Sequence, residues 1–162
     1  MVQRIQSLYL IGVIVCQSLL FATALATFSG YDSSYNLSIF GFYKLTSAGA
    51  EQLLNYYTLM IVNVIIILFT WYIVMSYKNR RLQMRLASFN VLMLSAFIVL
   101  MFFDFDNANK FISEANNNNT KELSTTYGIG MALPVLSIIL NIFAIRGIKK
   151  DDDLMKSADR IR

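Results

Sequence analysis

Four uncharged apolar stretches dominate this chain, and they restrict its fold more than any other feature does. They are "IQSLYLIGVIVCQSLLFATALATF" (5–28), "LLNYYTLMIVNVIIILFTWYIVMSY" (53–77), "LASFNVLMLSAFIVLMFF" (86–103) and "YGIGMALPVLSIILNIFAI" (127–145). At roughly 1.5 Å of rise per residue, helices of these lengths match about 30 Å of bilayer hydrocarbon. Lipid cannot hydrogen-bond to backbone, so a helix that satisfies its own N–H and C=O groups is the expected conformation. The chain is 56% hydrophobic and 15% charged, against about 25% charged in an ordinary soluble domain. The expected fold class is an all-α membrane protein, with four transmembrane helices in an up-down-up-down bundle and a short cytoplasmic C-terminal helix.

Basic residues set the orientation. Lys78, Arg80, Arg81 and Arg85 lie in the turn 78–85. Arg146, Lys149, Lys150, Lys156, Arg160 and Arg162 lie in the tail 146–162, and Arg4 precedes the first span. Loops 29–52 and 104–126 hold only Lys44, Lys110 and Lys121, with six acids. The turn, the tail and both termini are therefore expected in the cytoplasm and the two long loops outside. The formal net charge of +4 is topogenic on this reading, and nucleic acid is not an expected partner. "ATALAT" also offers an A-x-A pattern behind an apolar stretch, as a cleavable signal peptide would. Retention of the first span is expected, and cleavage would leave three spans in the same orientation.

Within the first loop, Tyr35, Leu37 and Ile39 alternate with polar residues, which hints at a short strand or hairpin. The asparagine run in 104–126 reads as a polar loop. Asn36 and Asn118 begin glycosylation-type triplets, relevant only to a eukaryotic secretory route. Pro134 falls inside the fourth span and predicts a kink near Gly130 and Met131. Gly128 and Gly130 suit close approach of another helix.

The tail "KKDDDLMKSADRIR" places acids before bases, complementing a helix macrodipole. Leu154, Ala158 and Ile161 would share one face of a short interfacial helix. That helix either is a solvated tail or docks on the N-terminus, with Gln3, Arg4, Asp159 and Arg160 as candidate docking residues.

The ends of the chain carry a resemblance. "QRIQSLYL" at Gln3–Leu10 and "DLMKSADRIR" at Asp153–Arg162, with four spans between, resemble domain of unknown function 4293, a family of small bacterial integral membrane proteins. The resemblance covers the whole chain in layout and is specific at its two ends. It implies a four-helix protein of the bacterial cytoplasmic (inner) membrane that retains its first span. It implies no activity, cofactor or site residue.

The chemistry is mainly one of exclusion. There is no histidine and one cysteine, Cys16, so Ser–His and Cys–His nucleophilic pairs are ruled out and no zinc or haem ligand set is apparent. Asp104 and Asp106 in "FFDFD" form the best acid pair, but nothing in the sequence supplies the other half of a site, and they read as a helix end entering water. No catalytic, metal or cofactor-binding residues are assigned. No ionisable residue lies between the expected interfaces, which argues against transport through a buried acid. The polar groups at depth are Gln17, Asn63, Asn90 and Asn141, with several Ser and Thr. These amides are candidate interhelical contacts, or they line a polar pocket. The expected function is a non-enzymatic scaffold or accessory subunit of a bacterial membrane complex. A small oligomeric transporter or lipid-binding protein is the alternative. The bilayer is the expected partner, together with other membrane proteins or further copies of this chain.

Overall fold

A computed structural model describes residues 3–29, 34–46, 49–55, 57–77, 79–115 and 124–159. Its elements run α1 (Gln3–Leu19), β1 (Ala26–Ser29), β2 (Ser34–Ser38), β3 (Gly41–Thr46), β4 (Gly49–Asn55), α2 (Tyr57–Met75), α3 (Arg80–Ala115), β5 (Ser124–Tyr127) and α4 (Leu133–Asp159). The fold is not all-α. The two expected outer loops, with the ends of the first, second and fourth apolar stretches, form a five-stranded antiparallel sheet of order β4-β3-β2-β1-β5, in which the strand hinted at by Tyr35 and Leu37 is β2.

The helices form a four-membered ring in which α1 touches α2 and α4, and α3 touches α2 and α4. Their buried stripes have coiled-coil spacing. On α2 the buried residues are Leu59, Asn63, Ile66, Thr70 and Ile73. On α3 they include Gln83, Ala87, Asn90, Leu94, Phe97 and Met101. Alternating steps of four and three residues keep one narrow stripe facing the bundle axis. The opposite faces expose large apolar side chains such as Leu68, Trp71, Leu92, Phe103 and Ile139. A water-soluble bundle would place these groups inward and its amides outward. Three helical stretches, Tyr57–Met75, Arg80–Glu114 and Ile129–Leu154, are long and apolar enough to cross a membrane.

Three helical expectations need correction. The first apolar stretch is helical only through Leu19, and its end turns into β1. The tail is not a separate short helix, because α4 continues unbroken to Asp159. Pro134 causes no mid-helix kink, because it lies in the first turn of α4 behind a 3-10 turn, Ile129–Met131. There the N–H that proline lacks would have had no intrahelical acceptor.

Helix α3 is twice the length of the apolar stretch that predicted it. It continues about 18 Å beyond Phe103, and this extension carries the sheet. Period-two alternation turns Ala26, Phe28, Tyr35, Leu37 and Phe42 to one face, where they join Ala108 and Ile112 in a common core. Phe28 meets Phe105 at 5.6 Å and Phe42 at 6.1 Å between ring centroids. Tyr35 stacks on Phe42 at 5.4 Å, and Phe42 meets Phe111 edge-on. Leu59 and Leu133, at the adjoining ends of α2 and α4, belong to the same core, so the sheet caps one end of the bundle.

Gly128 and Gly130 approach backbone, not a helix. Their N–H groups donate to the carbonyls of Leu25 and Ala24 at 2.9 and 3.2 Å. A Cβ on Gly128 would overlap the Ala24 carbonyl oxygen, and one on Gly130 would lie 2.7 Å from it. This crossing ties β5 and the start of α4 to the chain entering β1.

Candidate functional site

All four candidate amides, Gln17, Asn63, Asn90 and Asn141, are fully buried on the bundle axis. Their roles differ. Helix α1 ends at Leu19, so its last carbonyls need partners from outside the helix. Asn63 Nδ2 donates to the Gln17 carbonyl at 3.1 Å. The Ser18 and Leu19 carbonyls accept from the N–H groups of Phe21 and Ala22, and Thr23 Oγ1 also donates to Leu19. Asn63 is thus a C-cap supplied by a neighbouring helix. On the facing stretch of α4 the Ser137 hydroxyl donates back to the Leu133 carbonyl at 2.9 Å.

Two turns along α2, Thr70 forms a second polar layer. Its hydroxyl donates back to the Ile66 carbonyl at 2.7 Å and accepts from Asn90 Nδ2 at 3.0 Å. Asn141 lies at the same height. Asn90 is ten residues along α3 from Arg80, and Asn141 is ten residues back along α4 from Asp151, the pair joined by a 3.6 Å salt bridge. About 15 Å separates that bridge from the amide layer on both helices.

A third polar layer closes the end remote from the sheet. Gln83 Nε2 donates to the Ile73 carbonyl at 3.2 Å, and Gln6 Nε2 donates to the Gly147 carbonyl at 2.9 Å. Arg80 also reaches the Asp151 carbonyl at 3.3 Å. Gln6, Gln83 and the Arg80–Asp151 pair were not singled out from sequence. Gln83 lies seven residues before Asn90 on α3, the step that also separates Asn63 from Thr70 on α2, and that spacing is the signal that could have found it; no such signal marks Gln6 or the Arg80–Asp151 pair.

Several polar atoms inside the bundle have no hydrogen-bond partner among the described residues. They are both amide atoms of Gln17 and of Asn141, and the carbonyl oxygens of Asn63 and Asn90. In an apolar interior each such atom costs about 1–3 kcal/mol to leave without a partner.

The remaining sequence candidates lie elsewhere. Asp104 and Asp106 are on α3 near the sheet, and Asp106 pairs with Lys110 at 2.7 Å. Among the described residues no group of three His, Cys, Asp or Glu could hold a metal ion. The side chains of Gln3, Arg4 and Asp159, and all of Arg160, lie outside the described residues, as does the Asn118 triplet. Asn36 is on β2, in a row with Thr126, Thr27, Tyr43 and Gln52 on the face opposite Phe28 and Phe42, and its Oδ1 is buried without a partner among the described residues.

A family profile, described as a domain of unknown function (DUF4293), matches residues 2–161. The chain belongs to the DUF4293 family. A search of curated proteins gave no match. The matched region takes in the bundle and the sheet alike, so the cap is part of the DUF4293 domain as this chain folds it.

Proposed function

We propose that this DUF4293 protein is a non-enzymatic scaffold or accessory subunit of a bacterial inner-membrane complex, with its sheet outside and both termini in the cytoplasm. The carrying observation is the continuity of α3. One helix runs from Arg80 through the apolar band to Ala115, and its far end is packed under the sheet by Phe105, Ala108 and Ile112. A platform coupled rigidly to a membrane anchor suits holding a partner at fixed height and orientation. Helix α1 acts as the fourth span: Gln6–Leu19 is apolar but short, and the Asn63 cap with the turn at Leu20–Ala22 completes its crossing. The bases at Arg80, Arg81, Arg85, Arg146, Lys149 and Lys150 all lie at the end remote from the sheet, as the orientation requires.

The test is purification from the native membrane in mild detergent, with a photo-crosslinker at Tyr43 in the polar row of the sheet. A stoichiometric membrane protein crosslinked at that position supports the reading; a monodisperse protein without partners opposes it. The partnerless amides favour one alternative, a small transporter or lipid-binding protein acting around the bundle axis. Solute flux in liposomes holding the purified protein alone would favour that alternative.

A further inference from the structure

We propose that Arg146, Lys149 and Lys150 form a binding site for the phosphate of an anionic phospholipid headgroup. The observations are a hollow and its place on α4. An open cavity of about 400 Å³ is lined by Arg146, Lys149, Lys150, Asp153 and Leu154. Its lining continues the outward face of the helix. That face carries Val135, Leu136, Ile139, Ile142 and Phe143, all exposed and apolar, and changes to Arg146 within one turn. The steps from Val135 to Ile139, Ile142, Arg146 and Lys149 are four, three, four and three residues, so the apolar and basic groups form one continuous stripe.

A ligand on this stripe meets hydrocarbon-like surface on one side and three cations on the other. A phospholipid matches both parts, with acyl chains along Ile139, Ile142 and Phe143 and phosphate among the bases. A free phosphate would match only the second. Guanidinium and ammonium groups suit phosphate oxygens as donors and as charges. Asp151, the acid on the inward face of this turn, is engaged by Arg80, so the interior ion pair holds that carboxylate away from the site. Asp153 also lines the hollow, so its carboxylate opposes an anion there and the three cations outweigh it.

The inference rests on the bilayer placement proposed above and not on the scaffold role. The full-length protein, purified in mild detergent, is incubated with phosphatidylglycerol or phosphatidylcholine, and retained lipid is counted by native mass spectrometry. The wild type should retain the anionic lipid over the zwitterionic one by roughly tenfold. The R146Q/K149Q/K150Q variant should lose that preference, while R81Q/R85Q, which removes exposed bases on the same side of the bundle, should keep it. Should the triple variant fail to accumulate, K149Q/K150Q keeps Arg146 for topology and should lose most of the preference. Equal loss in R81Q/R85Q would replace the site with diffuse attraction. Displacement of the lipid by inorganic phosphate alone would make it a soluble-anion site. Absence of any preference in a wild type that requires detergent overturns the proposal, whereas a wild type soluble without detergent overturns the bilayer placement itself.

Discussion

Gln6 and Gly147 fit each other across α1 and α4: the Gln6 amide donates to the Gly147 carbonyl at 2.9 Å, and a Cβ on Gly147 would lie 3.0 Å from Gln6 Cγ. The missing side chain at one position makes room for the long one at the other. The Gly147→Leu variant should therefore destabilise the bundle by about 1–3 kcal/mol through overpacking. Truncation at the partner should make room again, so Gln6→Ala combined with Gly147→Leu should cost less than the two single changes summed. Thermal unfolding in detergent for the four-member cycle checks this, and strict additivity would show that the contact carries no coupling.

Gly128 and Gly130 are constrained by space, not by backbone conformation. Gly128 has φ −79 and ψ 160, which any residue adopts, but the Ala24 carbonyl occupies the place of a side chain. Backbone cannot rotate away as a flexible side chain can. Alanine at either position should lower stability by about 1–3 kcal/mol and loosen the pairing of β1 with β5. Faster amide hydrogen exchange at Thr27 and Thr126 in the G130A variant is the expected readout.

The buried amides should respond unequally to replacement by leucine. Asn63→Leu leaves the Gln17 carbonyl at the end of α1 without its donor, at a cost of about 1–3 kcal/mol. Asn141→Leu removes two polar atoms that have no partner among the described residues, so its stability should be unchanged or higher. Unfolding of both variants in the same detergent decides the matter. An N141L protein that is stable but fails to pull down the wild-type partner or to carry flux would place Asn141 in a ligand or partner site.

The Arg80–Asp151 pair is partly shielded, with side-chain exposures of 25% and 11%. At 3.6 Å and with that exposure, loss of the charge in Asp151→Asn should cost about 1 kcal/mol or less. The difference between wild type and variant should shrink as salt rises, because screening weakens what the wild type gains. A difference independent of salt would assign the effect to packing.

Phe28 joins β1 to the α3 extension. Its side chain is 1% exposed and meets both Phe42 and Phe105. Phe28→Ala should cost about 3–5 kcal/mol locally and release the sheet while the helices persist. Proteolysis should then cut within residues 26–55 and leave the bundle fragments, whereas a cap that stays resistant would show that β1 is held by other contacts.

The sequence alone located four helices but not their ends, since α1 stops at Leu19, α3 runs on to Ala115 and α4 to Asp159. Long uncharged stretches must satisfy their backbone internally, and the described bases Arg80, Arg81, Arg85, Arg146, Lys149 and Lys150 lie at the end of the bundle remote from the sheet. It also identified Gln17, Asn63, Asn90 and Asn141 as interior groups, because amides within such stretches turn from a surrounding apolar medium. The sheet was legible only at Tyr35, Leu37 and Ile39. Strands β4 and β5 contain little alternation, and β1 continues an apolar run that reads as helix until the Ala24–Leu25 backbone meets Gly128 and Gly130. Those contacts join residues about a hundred positions apart, and no local pattern encodes them. Tertiary structure likewise divided the amides into a cap, a hydrogen-bonded layer and partnerless groups, because hydrogen bonding depends on which helix faces which, at what height, and on where each helix ends.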